Sequence, residues 1–239
     1  MLLIPLLGGV RGGLNKTKGS IFKDKIMLEI NNISKTYRRG SAVFLALEDV
    51  TIKIEKGDYV AVTGASGAGK STLLNIIGGL IHPDSGEVLY NGKDIYKQNG
   101  RVTNEYRKKH VGFIFQQFHL MPYLTVLENV KLACYEKEHF AAIDGYFEMC
   151  NLTSLINKNP SGLSVGEKQR AAFVRAIISS PEILLADEPT GNLDPGNTEI
   201  LMSLIETYHK NGGTVVMVSH DPSIVRYANR QISLDRGEL

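Results

Sequence analysis

A glycine-rich run constrains the fold of this chain more than any other feature. Residues 64–71 read Gly-Ala-Ser-Gly-Ala-Gly-Lys-Ser, which fits the pattern G-x-x-x-x-G-K-[ST]. Glycines at these positions let backbone N–H groups turn inward and surround a phosphate group. A strand-like run at 59–63 precedes the motif, and a helical pattern at 70–78 follows it. A strand, a tight loop and a helix in this order predict a nucleotide-phosphate site in an α/β fold.

Residues 64–69 are called the phosphate loop here. The spacing predicts that Lys70 reaches the β- and γ-phosphates of a nucleotide and that the Ser71 hydroxyl binds Mg²⁺. The helix that follows points its positive end at the same phosphates. The predicted nucleotide-contacting residues of this segment are Gly64, Ala65, Ser66, Gly67, Ala68, Gly69, Lys70, Ser71 and Thr72.

Two carboxylates, Asp187 and Glu188, follow the apolar run at 183–186. Ligands of α/β sheets bind at the carboxyl ends of the strands. Asp187 is therefore predicted to hold Mg²⁺, and Glu188 to orient and polarise the water that attacks a phosphoryl group. An exposed acidic turn gives the same pattern, but the phosphate loop upstream favours the catalytic interpretation.

Other apolar runs complete the predicted fold. The runs at 183–186 and 214–218 are short and wholly apolar, which is typical of strands buried on both faces of a parallel sheet. The predicted class is α/β: a P-loop NTPase core with a mainly parallel sheet, an N-terminal antiparallel β-subdomain and a helical insertion subdomain at about 116–178. Further strands are predicted at 28–33, 50–54, 87–90 and 111–115, and a crossover helix at about 197–210.

Composition removes several classes of protein. The 27 Lys and Arg residues nearly balance the 25 Asp and Glu residues, so the net charge of +2 does not support a nucleic-acid partner. Cys134 and Cys150 form no CxxC pair and no Cys/His cluster, which argues against structural zinc. No run of about 18 apolar residues occurs, so we expect no membrane-spanning segment.

The first 26 residues differ from the rest of the chain. They combine a short apolar start, four glycines between positions 8 and 13, and a Lys-rich stretch at 16–25. We expect residues 1–26 to be a flexible extension or a mis-assigned start, with Met27 as the natural first residue. Residues 27–239 are then expected to form one nucleotide-binding domain.

A second segment predicts the start of a helix, and the motifs that accompany it in the sequence indicate a further role. Residues 163–170 read Leu-Ser-Val-Gly-Glu-Lys-Gln-Arg, and by themselves they predict only a helix that begins with an S-x-x-E capping box. The accompanying motifs are Tyr37, Gln116, Asp187-Glu188, Gly191-Asn192-Leu193-Asp194 and Ser219-His220-Asp221. With them, the chain over about residues 27–239 resembles the nucleotide-binding subunit of ATP-binding cassette (ABC) transporters. The runs 112–122 and 187–194 resemble the branch that contains the lipoprotein-releasing and macrolide-export ATPases.

The resemblance assigns roles that the residues alone do not. Tyr37 is expected to stack on the adenine ring, and an aromatic stack on a base is worth roughly 1–3 kcal/mol. Gln116 is expected to contact Mg²⁺ and the attacking water, and His220 to contact the γ-phosphate. Asp194 is expected to lie at a subunit interface. The implied catalytic residues are Glu188, His220 and Gln116, and the implied metal ligands are Ser71, Gln116 and Asp187.

The resemblance also implies a second copy of the chain. Ser164 and the N–H of Gly166 are expected to face the γ-phosphate of ATP bound to the other copy, so that two chains sandwich two ATP molecules head to tail. Val165 stands where the family usually has glycine, and Lys168 where Gln is frequent. A β-branched residue would be strained if position 165 needed a left-handed backbone, but it serves if the position supplies only an N–H.

The function that the resemblance implies is ATP hydrolysis coupled to a separate membrane permease, for lipoprotein release or for peptide or drug export. The chain is then expected on the cytoplasmic face of the cell membrane. The insertion between Gln116 and Ser164 is short for the family. Its first apolar residues are candidates for core packing or for a groove that receives a permease helix. They are Phe118, Leu120, Met121, Tyr123 and Leu124.

Other functions stay open to different degrees. The main alternative is a cell-division-type ABC ATPase, which regulates cell-wall enzymes through a membrane partner without transport and shares the same motifs. A cassette acting on DNA or ribosomes is disfavoured, because the sequence has no long coiled coil and no second cassette. A GTPase is disfavoured because the Asn-Lys pairs at 15–16 and 157–158 lack the acid that reads guanine. The transported substrate is not indicated.

Overall fold

A computed structural model describes residues 26–97 and 100–239, which form two β-sheets and the helices around them. The extension expected at residues 1–26 lies outside the described residues except for Ile26. The strands are β1 (Ile26–Arg39), β2 (Ala42–Glu55), β3 (Tyr59–Thr63), β4 (Ser85–Tyr90), β5 (Lys93–Asp94), β6 (Val111–Ile114), β7 (Ile183–Asp187), β8 (Thr214–Val218) and β9 (Arg230–Ser233). The α-helices are α1 (Lys70–Ile77), α2 (Arg101–His110), α3 (Val126–Lys131), α4 (Lys137–Ala141), α5 (Ile143–Met149), α6 (Val165–Ile177), α7 (Pro195–Lys210) and α8 (Pro222–Val225).

The first sheet is antiparallel and has the strand order β2-β1-β4-β5, which confirms the predicted antiparallel β-subdomain. β1 and β2 have 14 residues each, far more than the predicted runs at 28–33 and 50–54. The apolar alternation stops where the hairpin leaves the core, yet the strands continue because their backbones still pair, as far as Arg39 opposite Ala42. The apolar pattern therefore marks only the buried part of the hairpin.

The second sheet is parallel and has the strand order β6-β7-β8-β3-β9. The strands β3, β7 and β8 are buried along almost their whole length, as the wholly apolar runs predict. Their carboxyl ends lie at one edge of the sheet. The phosphate loop follows β3, Glu188 follows β7, and His220 comes soon after β8. The sheet thus brings these three segments to the edge where α/β proteins bind ligands.

The predicted helical insertion consists of shorter pieces than the sequence pattern suggests. Residues 116–178 contain α3 to α6 and two 3₁₀ turns, separated by loops. Capping boxes begin α3 at Thr125 and α6 at Ser164. In each box the Glu three residues later accepts a hydrogen bond from the N–H of the cap residue. The helix start that the S-x-x-E spacing predicts at Ser164 is therefore confirmed.

The sequence pattern does not predict β9 or α2. β9 carries one apolar residue, Ile232, and lies at the sheet edge, where parallel pairing with β3 holds it. α2 has four basic residues in its last turn and buries only Thr103 and Tyr106. Neither segment has the apolar periodicity by which elements are recognised in a sequence.

Two apolar clusters cover the two faces of the parallel sheet. Alternate residues of a strand point to opposite faces, so Leu184 and Met217 join the cluster under α6 and α7, and Leu185 and Val216 join the one under α1. The core therefore fixes both faces of the sheet and leaves its carboxyl edge for the site. Within residues 26–97 and 100–239, no helix is both long enough and apolar enough to cross a membrane.

Candidate nucleotide site

The phosphate loop has a backbone that only glycine allows at its two ends. Gly64 has φ +144° and Gly69 has φ +93°, values that L side chains rarely adopt. An added Cβ at Gly64 would overlap the carbonyl oxygen of Leu234, and one at Gly69 would overlap that of Ala46. The glycines are therefore required both by the backbone conformation and by the close approach of two neighbouring chain segments.

Lys70, the first residue of α1, is folded back over the phosphate loop. Its side chain is buried, and Nζ donates hydrogen bonds to the carbonyl oxygens of Gly64 at 2.9 Å and Ala65 at 2.8 Å. A buried ammonium needs such partners. The two bonds hold the positive charge at the loop, where an anion wrapped by the loop would meet it.

Ser71 and Asp187 lie together at the base of the loop. The Ser71 hydroxyl donates to Oδ1 of Asp187 at 3.0 Å. Burial raises the pKa of Asp187, and the neighbouring Glu188 raises it further, whereas the hydrogen bond from Ser71 and the charge of Lys70 lower it. A hydroxyl and a carboxylate oxygen at this distance form a hard donor set, which suits Mg²⁺. These residues therefore fit the metal that the phosphate loop implies.

Glu188 and His220 meet beside this pair. Nδ1 of His220 lies 3.2 Å from Oε1 of Glu188, within hydrogen-bonding distance. Glu188 has φ +42°, a left-handed conformation that is uncommon for a residue with a side chain. Its N–H donates to the carbonyl of Val218, the last residue of β8, at 3.0 Å. The two strand ends thus orient the Glu188 carboxylate between them.

Gln116 reaches the same place from the end of β6. A Cβ added to Gly191 would lie 3.2 Å from Nε2 of Gln116 and 3.7 Å from Oε2 of Glu188. Asn192 donates from Nδ2 to the backbone oxygen of Gln116 at 3.3 Å. A cavity of about 530 Å³ opens beside Gln116, Glu188 and His220. The predicted catalytic residues therefore surround a common open space.

Tyr37 lies near the tip of the β1–β2 hairpin. It is 39% exposed and lies opposite Phe44 of β2. Nζ of Lys35 is 5.9 Å from the centre of the Tyr37 ring. Because Ala46 of β2 contacts Gly69, the hairpin runs beside the phosphate loop. The partly exposed Tyr37 ring thus lies on a hairpin that passes beside the loop.

Ser164, Gly166 and Asp194 form a second group at the starts of α6 and α7. Ser164 is the N-cap of α6, and Asp194 is the N-cap of α7, accepting from the N–H of Asn197. Gly166 is buried because the side chain of Asn197 lies against it. None of the hydrogen bonds among the described residues joins this group to the phosphate loop. The structure thus separates the predicted site residues into two groups.

Val165, which departs from the family pattern, has a backbone conformation that suits a β-branched residue. It is the first residue of α6, is 44% exposed, and does not have a positive φ. A β-branched side chain is therefore unstrained at this position, and the N–H remains available. Lys168, the other departure, lies half-buried on the same helix.

The sequence patterns do not identify two residues whose side chains hydrogen-bond to segments of the candidate site. Gln169 of α6 is buried and donates from Nε2 to the carbonyl of Pro189 at 2.6 Å. Asn197 binds Asp194 through its backbone N–H and its side chain. The D-x-x-N spacing is a cap signal that predicts the Asn197 contact, but nothing in the sequence around Gln169 indicates its bond.

The fold and the site define a class of protein. A parallel α/β sheet carries a glycine loop, a buried lysine and a Ser–Asp pair at its carboxyl edge, which is the arrangement of a P-loop nucleotide-binding protein. The sequence profile of the family described as ABC transporter matches residues 47–191. The ABC transporter ATP-binding protein YvrO of Bacillus subtilis (strain 168), itself uncharacterized, is 39% identical over 218 residues, covering 89% of this chain and 95% of that relative. The chain belongs to the ABC transporter family as an ATP-binding domain.

Further relatives agree with this assignment. The macrolide export ATP-binding/permease protein MacB of Chlorobaculum tepidum is 38% identical over 219 residues, which cover 88% of this chain and 33% of that protein. The dimeric structure of the ABC transporter cassette MJ0796 has a TM-score of 0.83 at 38% identity, covering 89% of this chain and 96% of that one. A post-hydrolysis structure of the same cassette, bound to ADP and Pi, also has a TM-score of 0.83. The predicted family and fold class are confirmed.

Proposed function

We propose that this chain is the ATP-binding and ATP-hydrolysing subunit of an ABC transporter that powers a separate membrane permease of the lipoprotein-release, peptide-export or drug-export type. One observation carries the proposal. Glu188 and His220 lie side by side at the ends of β7 and β8, next to the Ser71–Asp187 pair at the phosphate loop.

Nucleotide binding follows from the first group of site residues. The loop backbone and Lys70 bind the β- and γ-phosphates, and Tyr37 stacks on the adenine ring. Ser71, Asp187 and Gln116 would hold Mg²⁺, which would neutralise charge on the phosphate oxygens. The buried Lys70 moves its hydrogen bonds from the loop carbonyls to phosphate oxygens, so its charge remains paired throughout.

Hydrolysis is assigned to Glu188. Its carboxylate accepts a hydrogen bond from a water molecule and polarises it for attack on the γ-phosphorus. As the water oxygen bonds to that phosphorus, a proton of the water passes to Glu188 and the bond from the phosphorus to the bridging oxygen breaks, with its electron pair remaining on ADP. The products are ADP and phosphate. Gln116 orients the water. His220 contacts the γ-phosphate and, through its contact with Glu188, keeps the carboxylate directed at the water.

The second group of site residues is assigned to a partner copy. Ser164 and Gly166 begin α6, whose positive end favours an anion, and we propose that they bind the γ-phosphate of ATP held by a second copy. Asp194 then lies at the interface. The dimeric cassette MJ0796, which shares the fold at 38% identity, supports the formation of a dimer.

The proposed permease is a separate chain at the membrane, and this chain binds its cytoplasmic face. The relatives named ATP-binding/permease proteins are about three times as long as the segment they share with this chain, whereas YvrO is matched over 95% of its length. Beyond Gln116, Met121 is 40% exposed and Tyr123 is 74% exposed. These two side chains are free to contact a helix of the permease. Phe118, Leu120 and Leu124 are half-buried.

Glu188→Gln tests the catalytic and dimer assignments together. We expect the purified variant to bind ATP, to hydrolyse it at least about 100-fold more slowly because the base is lost, and to accumulate as a dimer. Light scattering with saturating ATP and Mg²⁺ measures the dimer, and phosphate release measures turnover. Glu206→Gln, on the exposed face of α7, is the matched control and should behave as the wild type. A monomeric Glu188→Gln variant would contradict the sandwich.

Capture of the partner tests the permease assignment. Tagged Glu188→Gln, held with ATP in gently solubilised membranes of the native host, should retain an integral membrane protein with a large extracytoplasmic part. Recovery of a cell-division membrane partner would instead favour the alternative function, in which the ATPase regulates cell-wall enzymes and transports nothing. Recovery of no membrane protein would leave only the ATPase assignment.

A further inference from the structure

We infer that Asn197 is a positioning residue that holds Asp194 and the start of α6 in one arrangement. The residues proposed to contact ATP of a second copy, Ser164, Gly166 and Asp194, are then in place before ATP binds. The inference rests on the proposed head-to-tail dimer. It concerns a residue in the first turn of α7 that touches neither the phosphate loop nor the Glu188–His220 pair in the described hydrogen bonds.

The first contact of Asn197 is with Asp194. The backbone N–H of Asn197 donates to Oδ1 of Asp194 at 3.0 Å, and Nδ2 donates to Oδ2 at 2.6 Å. Both carboxylate oxygens are therefore fixed by one residue. Hydrogen bonds from the Asn197 backbone and side chain lower the pKa of Asp194, so the carboxylate stays ionised and directed.

The second contact is with Gly166. A Cβ at Gly166 would overlap the Oδ1, Cγ and Nδ2 atoms of Asn197. The amide of Asn197 therefore lies directly against the backbone of the second residue of α6. The N–H of Gly166, which we assign to the partner's γ-phosphate, has its position set by this contact.

The third contact fixes the amide itself. Nη1 of Arg170 donates to Oδ1 of Asn197 at 2.9 Å, while Nε of the same guanidinium donates to the carbonyl of Cys150 at 3.0 Å. Arg170 lies on α6, and Cys150 follows α5. The side chain of Asn197 is thus bonded to Arg170 of α6 and to Asp194, and it cannot rotate without breaking both of these hydrogen bonds.

Helix stability does not explain this residue. Asn forms helices less well than Ala, and a turn capped by Asp194 needs only the backbone N–H at this position. The side-chain amide adds the bonds to Asp194 and Arg170 and the contact with Gly166. These are the contacts that join two segments proposed to face the same partner.

The test uses two substitutions of Asn197 in the Glu188→Gln protein and again in the protein with native Glu188. Asn197→Ala removes all side-chain bonds. Asn197→Asp keeps an acceptor for Arg170 but replaces the donor to Asp194 by a second carboxylate. Asn211→Ala, at the other end of α7, is the matched control. ADP affinity is measured on dilute monomer, ATP-driven dimerisation by light scattering over a range of protein concentrations, and kcat and KM by phosphate release.

We expect ADP affinity and Tm of Asn197→Ala to stay close to those of the parent, because Tyr37, the phosphate loop and Lys70 are unchanged. The dimer dissociation constant should rise about tenfold or more, and kcat should fall by a similar factor with little change in KM. Asn197→Asp should be at least as impaired, because its new charge repels Asp194. Asn211→Ala should match the parent.

Several results would overturn the inference. Dimerisation and kcat of Asn197→Ala within twofold of the parent would remove any positioning role. Near-parental behaviour of Asn197→Asp would show that only the acceptor for Arg170 matters. An equal loss of ADP affinity, Tm and dimerisation would show a merely structural residue. Failure of the parent with native Asn197 to dimerise would instead refute the proposed head-to-tail dimer, and this inference with it.

Discussion

Glu188 shows how the site depends on individual residues in unusual conformations. Its φ of +42° is costly for a residue with a side chain. The cost is offset by the N–H bond to Val218 and by His220 at 3.2 Å from the carboxylate. Such strain concentrates where a side chain must point in one direction, and here it points the carboxylate at the cavity beside Gln116.

Lys70→Ala should remove most nucleotide affinity. The ammonium is held at the loop by two carbonyl oxygens, so its loss removes a buried positive charge from the loop that we propose binds the phosphates. We expect the ATP dissociation constant to rise by at least about tenfold, or ~1.4 kcal/mol, in isothermal titration calorimetry. Lys210→Ala, whose ammonium pairs with Glu206 on the exposed face of α7, is the control. Unchanged ATP affinity of Lys70→Ala would refute the role of the phosphate loop.

Val165→Gly should have a small effect on turnover. Val165 has a helical backbone without positive φ and an exposed side chain, so glycine relieves no strain and the N–H is present in both. We expect kcat to change by less than about tenfold, or ~1.4 kcal/mol, in a phosphate-release assay. A larger change would mean that the Val165 side chain itself contacts the partner copy.

At the scale of elements, the helices differ in how their first turns are capped. Side chains cap α3, α6 and α7 through Thr125, Ser164 and Asp194. The N-cap of α1 is Gly69, which has no side chain and no cap hydrogen bond. The first N–H groups of a helix need partners, and at α1 they are left for a phosphate. The starts of α2, α4 and α5 also lack a side-chain cap, so it is the phosphate loop before α1, and not the missing cap alone, that marks the ligand site.

Gly69→Ala should destabilise the chain through both backbone strain and overlap. Its φ is +93°, and a Cβ would overlap the Ala46 carbonyl oxygen. We expect the free energy of unfolding to fall by at least about 3 kcal/mol, measured by urea denaturation. Gly57→Ala has a similar φ of +83° with open space around the Cβ. It should lose only about 1–2 kcal/mol, and equal losses would show that overlap with Ala46 is unimportant.

At the scale of the whole molecule, a polar cluster joins the two sheets. Tyr90 of β4 donates to Oε1 of Glu182 at 2.6 Å, and Nδ1 of His110 lies 2.9 Å from the same oxygen. Glu182 directly precedes β7 of the parallel sheet, whereas β4 belongs to the antiparallel sheet. The hydrogen bond with His110, followed by that with Tyr90, lowers the pKa of Glu182 to about 2. The cluster thus favours the ionised carboxylate in the folded state.

Acid should weaken this connection. A lowered folded-state pKa stabilises the fold above the unfolded value of about 4.5, and the stabilisation is lost as the pH falls from about 4.5 towards 2. Glu182→Gln lacks this titration. We expect the urea midpoint of the wild type to exceed that of the variant at pH 6 and the difference to shrink between pH 4.5 and pH 3. Because Glu182 is partly exposed, the difference should be modest. A difference independent of pH would contradict the role of the ionised carboxylate.

Much of the fold could be predicted because the elements that carry the site are strongly patterned. The runs 59–63 and 214–218 agree with β3 and β8 residue for residue, since strands buried on both faces are mostly apolar along their length. Elements held by pairing or by exposed contacts, such as β9 and α2, leave no such pattern. The outer half of the β1–β2 hairpin is not predicted from the sequence for the same reason.

The sequence by itself determined the family of this protein and the residues of its candidate site, because the motifs place a glycine loop, a lysine and two carboxylates at the ends of apolar strands. Only the tertiary structure decided which neighbours hold those groups. The bond of Gln169 to Pro189, the packing of Asn197 on Gly166 and the joint approach of Tyr90 and His110 to Glu182 connect residues that lie between 20 and 92 positions apart. Such contacts depend on how the sheets and helices pack in space, and local sequence patterns do not predict that packing.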